Sequence, residues 1–426
     1  MEMGHASSVR TSRGGLVSWC LYDWANSAFP TVITTFVFAA YFTQAVAPSP
    51  ETGTALWGEA MALAGLIIAL ASPALGAIAD QGGRRKPWLA AFTGLCVVAT
   101  ASLWWVAPQP GAVPLALLAL VLGTVGVELA SVFYNAMLPD LVTKGRYGRL
   151  SGWGWGIGYA GGLACLVVAL FGLVQAEPPP FGLQKADAEH VRATAPLVAL
   201  WFAVFALPLF LFTPDTPCTG MPAGQAVRRG LASLMATLRG VRRHRQIVRF
   251  LVARIFYIDG LNTLFAFGGI YAAGTFGMDI AEIIRFGIAM NVTAGLGAFA
   301  FGWFDDRVGP KATIVVSLLG LVLLGGGLLV VETKAWFWTL GLPLGLFVGP
   351  AQSASRSLMA HLAPEELRTE MFGLFALSGK ITAFAGPAIL GWVTVVSGSQ
   401  RWGMATILIS LVIGLAILLP VKADVK

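Results

Sequence analysis

The sequence is poor in charged residues and in cysteine. Only 12% of its 426 residues are Asp, Glu, Lys or Arg, whereas a soluble domain carries about a quarter. So few charged side chains cannot cover a water-facing surface, which excludes an ordinary soluble globular protein. The four cysteines show no paired or metal-like spacing, so we expect neither disulfides nor a thiolate metal site.

Motifs for ATP hydrolysis, nucleophilic catalysis and metal binding are also missing. There is no phosphate-cradling P-loop with its lysine, which argues against an ATP-driven pump. No Gly-x-Ser-x-Gly nucleophile motif occurs. The four histidines, at positions 5, 190, 244 and 361, are scattered rather than clustered with Cys or carboxylates. We therefore expect a protein that is not an enzyme and that needs no cofactor or metal.

Long apolar runs dominate the chain, which is 57% hydrophobic. A membrane-spanning helix needs about 20 mostly apolar residues. The pattern predicts an all-α integral membrane protein with twelve transmembrane helices in two six-helix bundles. The predicted helices 1 to 12 are 18–46, 55–79, 88–107, 113–137, 150–174, 194–213, 247–273, 280–303, 312–331, 335–359, 371–396 and 401–420.

A polar segment in the middle of the chain divides these helices into two sets of six. It carries three prolines and a cluster of arginines. The predicted organisation is an N-terminal tail, a first bundle, a basic linker, a second bundle and a C-terminal tail. Their ranges are 1–17, 18–213, 214–246, 247–420 and 421–426.

The distribution of Lys and Arg predicts the orientation. Twenty of the 28 lie in segments on one side of the predicted helices, and only four lie on the other side. Cytoplasmic segments carry the excess of positive charge, so both termini and the linker are predicted to be cytoplasmic. The net charge of +7 is therefore explained by the basic cytoplasmic segments rather than by nucleic-acid binding. A bacterial inner membrane is the favoured location, and a vacuolar membrane is the alternative.

One tight charged loop occurs twice. The copies are Gly76-Ala-Ile-Ala-Asp80-Gln-Gly-Gly83-Arg84-Arg85-Lys86 and Gly302-Trp-Phe-Asp-Asp306-Arg307-Val-Gly309-Pro-Lys311. Each joins two apolar runs, and the two copies occupy matching places in the two bundles. A single copy could be a generic turn with solvated charges, but the repetition indicates a duplicated membrane bundle. Two such bundles around a central path are typical of secondary transporters.

This loop resembles the signature loop of the major facilitator superfamily. The resemblance implies that its Asp caps the end of a neighbouring helix, pairs with basic residues and helps to close the cytoplasmic side. Asp80 would pair with Arg84, and Asp306 with Lys311. The implied cytoplasmic gate comprises Gly76, Asp80, Gly83, Arg84, Arg85, Gly302, Asp306, Arg307, Gly309 and Lys311.

A narrower resemblance covers most of the chain. Tyr22-Asp23-Trp24-Ala25-Asn26-Ser27-Ala28-Phe29 is similar to the opening motif of the "unknown major facilitator" family, which includes fungal vacuolar effluxers linked to autophagy. Matches continue at Phe133-Tyr134-Asn135-Ala136, Tyr257-Ile-Asp259-Gly260, Gln352-Ser353-Ala-Ser355-Arg356-Ser357 and the segment ending in Ser378-Gly379-Lys380. The resemblance implies release of amino acids for the fungal members.

Polar groups within predicted helices are costly and mark functional sites. Asp23-x-x-Asn26 in helix 1 and Asp259-x-x-Asn262 in helix 7 are equivalent, and each follows a tyrosine, at 22 and 257. The spacing of three places both polar groups on one helix face. Facing each other across a cavity, these pairs could bind an ammonium group, accept a proton, or both. Alternatively, Asp23 lies at the interface and caps a helix or pairs with a loop arginine.

The other ionisable residues extend the predicted site. Glu128 in helix 4 and Arg356 in helix 10 occupy equivalent helices, and Arg356 could hold a substrate carboxylate by a forked contact. Lys380 is a second cationic contact or, alternatively, a structural partner of Asp259. The predicted substrate-binding residues are Tyr22, Asp23, Asn26, Glu128, Tyr134, Asn135, Tyr257, Asp259, Asn262, Gln352, Arg356 and Lys380. Those predicted to carry protons are Asp23, Glu128 and Asp259.

These features predict a secondary active transporter that moves a small polar solute by alternating access. An amino acid or similar zwitterion with proton-coupled efflux is favoured. A small organic acid, sugar or drug-like solute remains open, as does a receptor or scaffold on the same fold. The expected partners are the solute, protons and the lipid bilayer, without nucleic acid. Twelve helices suffice for a monomer.

Overall fold

The structure is a computed structural model that describes residues 11–240 and 242–422. All regular secondary structure in this part of the chain is helical. The predicted tails 1–17 and 421–426 lie partly outside the described residues. The all-α prediction is confirmed.

The twelve predicted helices are all present, and we number them α1 to α12. Their observed bounds exceed the predicted ones by a few residues at most ends, because polar residues cap the apolar cores. In the first half, α1 to α6 are Arg13–Val46, Pro50–Gly82, Lys86–Trp105, Pro110–Leu141, Lys144–Val174 and Glu189–Phe212. In the second half, α7 to α12 are Arg245–Phe276, Ile280–Val308, Pro310–Val330, Lys334–Leu362, Glu365–Ser397 and Gln400–Leu418.

By length and composition, eleven helices among the described residues are able to cross a membrane. The exception, α10, is 29 residues long. It is less apolar because it contains Pro343, Pro350 and a polar stretch around Arg356. This stretch is the part of α10 that the sequence marks as functional.

Two helices are interrupted. In α1, a regular segment, Arg13–Asn26, is followed by π-helical turns at Phe29–Phe36 and Phe42–Val46. In α11, the regular segments Arg368–Lys380 and Ala385–Ser397 are separated by a turn. This break lies beside Lys380 and was not predicted.

The linker between the halves contains a helix that was not predicted, Ala223–Arg239, which we call the linker helix. It packs against α2. The first half meets the second mainly where α2 lies against α11 and where α5 lies against α8. We call the end of the bundle with the two repeated loops and the linker helix the loop end.

Candidate functional site

A cavity of about 470 Å³ lies between the two halves, displaced from the loop end toward the opposite end. Most of its lining is aromatic and aliphatic, including Trp155 from the first half and Phe286 and Phe337 from the second. Polar atoms come from a few side chains in both halves. They include Ser27, Thr31, Thr35, Tyr159, Tyr271, Asn291 and Gln352.

One contact between the halves crosses this cavity directly. The hydroxyl of Tyr159 in α5 donates a hydrogen bond of 3.0 Å to Oε1 of Gln352 in α10. Gln352 is the predicted substrate-binding residue that does line the cavity. A bound solute that forms hydrogen bonds with both side chains could replace this contact, so that neither polar group would be left unpaired.

An ion pair lies one helical turn below these cavity residues. Arg356 Nη1 in α10 is 3.0 Å from Asp23 Oδ2 in α1, and the two side chains are only 3% and 13% exposed. Asp23 is therefore not an interfacial cap: it is paired inside the protein. Ser27, which lines the cavity, donates to the backbone carbonyl of Asp23 at 2.8 Å.

The guanidinium of Arg356 is held on several sides. It donates to Asn135 Oδ1 at 3.2 Å and to Ser151 Oγ and O at 2.8 and 2.7 Å. Its carbon lies 4.8 Å from the ring centroid of Trp19 and 5.8 Å from that of Trp155. Planar contacts with aromatic faces and forked hydrogen bonds are properties of arginine that lysine lacks. Trp155 also lines the cavity, so it adjoins both the cavity and this guanidinium.

A second ion pair also joins an acid of the first half to a base of the second half. Glu128 Oε1 in α4 is 2.6 Å from Lys380 Nζ in α11, and the side chains are 33% and 26% exposed. Lys380 is thus paired with Glu128 and not with Asp259. In both pairs the acid belongs to the first half and the base to the second half.

Asp259 in α7 has a different environment. Its Oδ1 is buried without a hydrogen-bond partner among the described residues. The side chain lies beside Gly386, where α11 resumes after its break: a Cβ added there would be 2.7 Å from Asp259 Oδ2. The buried Arg254, one turn away on α7, donates instead to Phe375 O and Ser378 Oγ. Among the residues that the structure describes, Asp259 is therefore a buried carboxyl that forms no ion pair.

The predicted symmetry between Asp23-x-x-Asn26 and Asp259-x-x-Asn262 does not extend to their contacts. Neither carboxylate is among the described residues that line the cavity. Asp23 pairs with α10, whereas Asp259 packs against α11. Asn262 is exposed, and Asn26 only accepts a long hydrogen bond of 3.4 Å from Ser27. Equivalent positions in a duplicated fold diverge because each half supplies different neighbours.

Three predicted substrate-binding tyrosines are buried contacts between helices. Tyr22 shares a hydrogen bond of 2.6 Å with Thr93, and Tyr257 shares one of 2.7 Å with Ser355. The hydroxyl of Tyr134 donates to the carbonyl of Trp19 at 3.0 Å. All three are at most 1% exposed, so in this state they support the site from behind and do not reach the cavity.

The repeated loop forms equivalent contacts at the loop end. Asp80, at the end of α2, accepts hydrogen bonds from the backbone N–H groups of Thr369 and Glu370 at 3.0 and 2.8 Å. These are unsatisfied donors at the start of the first regular segment of α11. Asp306, at the end of α8, accepts from the backbone N–H of Arg149 at 3.2 Å and from its side chain. Each Asp therefore binds near the start of a helix from the other half.

The glycines of the loop permit this contact. A Cβ at Gly76 would lie 2.3 Å from the carbonyl oxygen of Thr369, and one at Gly302 would lie 3.1 Å from the Cα of Arg149. Gly83 and Gly309 end α2 and α8 with φ values of +87° and +103°, which disfavour residues with a Cβ. The motif thus combines close helix approach, a tight turn and a capping carboxylate.

The basic residues of the loop do not pair as expected. Asp80 accepts hydrogen bonds from backbone N–H groups and does not pair with Arg84, which is exposed. Lys311 Nζ donates to the carbonyl of Leu419 at 2.6 Å, so Asp306 pairs with Arg149. Both carboxylates bind groups of the other half, and Arg85 of the first loop reaches the same residue, Thr369, that Asp80 contacts.

Sequence reasoning missed one residue that joins this network. Asp140, at the end of α4, pairs with both Arg85 from the first half and Arg368 from the second. Arg85 also donates to Thr369 Oγ1 at 3.0 Å. The signal was the position of Asp140 only four residues after the Phe133-Tyr134-Asn135-Ala136 match. Ser151 and Trp155 were likewise not singled out, although both surround or adjoin Arg356.

Comparisons with known proteins agree with this architecture. The chain matches the family described as "Vacuole effluxer Atg22 like" over residues 54–149 and 143–426. It is 28% identical over 406 residues to "Uncharacterized MFS-type transporter YxiO" of Bacillus subtilis (strain 168), which covers 94% of this chain and 93% of that protein. It is 25% identical over 301 residues to "Autophagy-related protein 22" of Cryptococcus neoformans var. neoformans serotype D (strain B-3501A), covering 63% of this chain and 52% of the fungal one.

Solved structures show the same fold at low sequence identity. The major facilitator transporter FucP in the outward conformation matches with a TM-score of 0.77 and 15% identity, covering 95% of this chain and 99% of that one. The proton:xylose symporter XylE matches with a TM-score of 0.73 and 16% identity, covering 95% and 94%. The chain is an integral multi-pass membrane transporter, and it belongs to the Atg22-like family of the major facilitator superfamily.

Proposed function

We propose that this transporter is a secondary carrier for zwitterionic amino acids, which it moves by alternating access. The observation that carries the proposal is the two ion pairs between the halves, Asp23–Arg356, which lies one turn from the cavity, and Glu128–Lys380. Both acids belong to one half and both bases to the other. An amino acid offers the same two charges, so its ammonium group suits the acids and its carboxylate suits the bases.

Exchange of partners links solute binding to movement of the halves. Breaking a buried ion pair leaves two uncompensated charges and is strongly unfavourable. A zwitterion placed between the halves would replace the lost partner on each side. The bound solute would thereby lower the cost of separating Asp23 from Arg356, as alternating access requires.

The cavity favours an amino acid with an apolar side chain over a sugar. A sugar has several hydroxyl groups, and each needs a polar partner when it leaves water. The lining offers few such partners among many aromatic and aliphatic side chains, such as Phe286 and Phe337. A volume of about 470 Å³ falls within the usual range for small-molecule sites, roughly 300–1,000 Å³.

We assign the loop end to the cytoplasmic side and to the inner gate. The excess of Lys and Arg in its loops supports that orientation. The two capping carboxylates, Asp80 and Asp306, and the network around Asp140 join the halves there. With the cavity displaced to the opposite end, this arrangement corresponds to an outward-facing state in a bacterial inner membrane.

Coupling to protons is proposed for Asp259. A buried carboxyl that lacks an ion-pair partner is able to exchange a proton without disrupting a salt bridge, unlike Asp23. Its place beside the break in α11 lets a change in its charge affect that helix. Efflux is the proposed direction, in keeping with the family description "Vacuole effluxer". The monomer is the proposed functional unit.

Counterflow in proteoliposomes tests the proposal. Vesicles loaded with one unlabelled amino acid are diluted into the same amino acid carrying a radioactive label, and the screen is repeated for sugars and organic acids. We expect exchange of one or more amino acids with apolar side chains. The variant Arg356→Gln should lose exchange, whereas the control Arg285→Gln, at an exposed site near the start of α8, should retain it. Absence of amino-acid exchange by folded protein would reject the proposal.

A further inference from the structure

We propose that the linker helix, Ala223–Arg239, lies on the membrane surface at the loop end and binds a leaflet of anionic phospholipids. The helix has three distinct faces. One packs on the transporter, one exposes an apolar stripe, and one carries arginines. This combination is typical of helices that lie in the interface between lipid and water.

The first face fixes the helix against both halves. Gly230 packs so closely on α2 that a Cβ there would lie 2.7 Å from the Cα of Ile78. Ser233 Oγ donates to Glu370 Oε2 in α11 at 3.1 Å. Ala226 and Thr237 are also buried. The helix therefore has a defined rotation about its axis, which determines where its other faces point.

The second face is an apolar stripe that the other described residues leave uncovered. Val227, Leu231, Met235 and Leu238 follow one another at spacings of four, four and three residues, so they share one side of the helix. They are 42%, 47%, 48% and 50% exposed. Because the helix is packed beside the membrane-spanning α2, the stripe lies next to the lipid that surrounds that helix.

The third face supplies charge complementarity. Arg228, Arg229 and Arg239 are exposed on the linker helix, and Arg242, Arg243 and Arg245 are exposed just after it. The sequence contains no Asp or Glu between positions 215 and 259. Clusters of four to eight basic residues beside a membrane helix attract anionic lipid headgroups. The headgroups would bind these arginines while the acyl chains cover the stripe.

Site-directed labelling of the full-length protein tests this contact. Cys20, Cys96 and Cys165 are buried and only Cys218 is exposed, so Cys218→Ser provides a background for an added cysteine. An environment-sensitive fluorophore at Leu231→Cys reports the stripe, and one at Ala236→Cys reports an exposed position on another face. The protein is reconstituted in vesicles that contain either brominated phosphatidylglycerol or the same fraction of brominated phosphatidylcholine.

We expect the label at 231 to be quenched several-fold more strongly by brominated phosphatidylglycerol than by brominated phosphatidylcholine. The label at 236 should be quenched much less by both lipids. Each arginine at an anionic surface contributes about fivefold to association, so the triple variant R228Q/R229Q/R239Q should reduce the difference between lipids toward none. The matched control Lys185→Gln, in an exposed segment between α5 and α6, should leave it unchanged.

Two outcomes would overturn the proposal. Equal quenching by the two lipids in the unaltered arginine background would show that the arginines do not select anionic headgroups. A label at 231 that neither lipid quenches, and that remains open to a water-soluble quencher, would show that the stripe does not lie in the membrane. The second outcome would leave the stripe to a soluble protein partner.

Discussion

Removal of the Asp80 carboxylate is expected to open the loop end. Asp80 holds the start of the first regular segment of α11 through the N–H groups of Thr369 and Glu370, at 3.0 and 2.8 Å. Loss of a helix-capping side chain costs about 1–2 kcal/mol, and loss of a negative charge at a helix N-terminus costs up to about 1 kcal/mol more. Asp80→Ala should therefore shift the ratio of closed to open forms by roughly 5- to 150-fold, which corresponds to about 1–3 kcal/mol.

The distance between the halves at this end can be measured directly. Spin labels at Lys144→Cys and Glu366→Cys, two exposed positions on opposite halves, report it in the Cys218→Ser background. We expect a single short distance in the parent protein and a second, longer distance in Asp80→Ala. Asp306→Ala should act in the same way, because Asp306 holds the start of α5 through Arg149.

Asp279 offers a matched control. It caps the start of its own helix, α8, by accepting a hydrogen bond of 2.7 Å from the N–H of Glu282. The capping interaction is the same as that of Asp80, but it lies within one helix and does not connect the two halves. Asp279→Ala should lower thermal stability without adding the longer distance. The reasoning is refuted if folded Asp80→Ala keeps the parent distance distribution, or if Asp279→Ala changes it equally.

Three further predictions concern the ionisable groups inside the bundle. Arg356→Gln should lower the free energy of unfolding by about 3–5 kcal/mol, because it leaves Asp23 buried and unpaired. Adding Asp23→Asn should restore part of this stability in thermal unfolding. No recovery in the double variant would contradict the pairing. Glu128→Gln should lower the free energy of unfolding by only about 1 kcal/mol, since the pair with Lys380 is partly exposed. The same variant should raise the KM for counterflow, and an unchanged KM would exclude Glu128 from the binding site. Asp259→Asn should abolish uptake driven by a pH gradient while solute exchange persists, and undiminished driven uptake would exclude Asp259 as the proton carrier.

The fold could be predicted from sequence because lipid imposes simple requirements. Every backbone polar group inside a bilayer must be satisfied, so long apolar runs form helices. The repeated loop then revealed the duplication. The break in α11 was missed although Gly386 and Pro387 follow its turn at 381–384, since a proline cannot donate to the carbonyl four residues before it and fits the first turn of a new helix. The linker helix was missed because its arginines and glycines resemble a polar loop, and only packing on α2 shows its apolar sides.

The residues of the site could be identified more readily than their partners. Asp23, Glu128, Arg356 and Lys380 were recognisable because charge inside a membrane helix is costly. Their pairing depends on how the halves face each other, which the sequence does not specify. Internal symmetry predicted equivalent roles for Asp23 and Asp259, whereas within residues 11–240 and 242–422 Asp23 has an ion-pair partner and Asp259 has none. The same symmetry succeeded at the loop end, where equivalent carboxylates bind equivalent helix starts.

Recognition of both charges of a zwitterion is the central claim, and a comparison of three related compounds tests it most directly. Inhibition of counterflow would be measured for the transported amino acid, for its amide, which lacks the carboxylate, and for its N-acetyl derivative, which lacks the ammonium group. Loss of one charge-assisted contact costs roughly 1.5–3 kcal/mol, so the amino acid should inhibit at least tenfold more strongly than either analogue. Equal inhibition by all three would contradict the assignment of the two ion pairs as the binding groups.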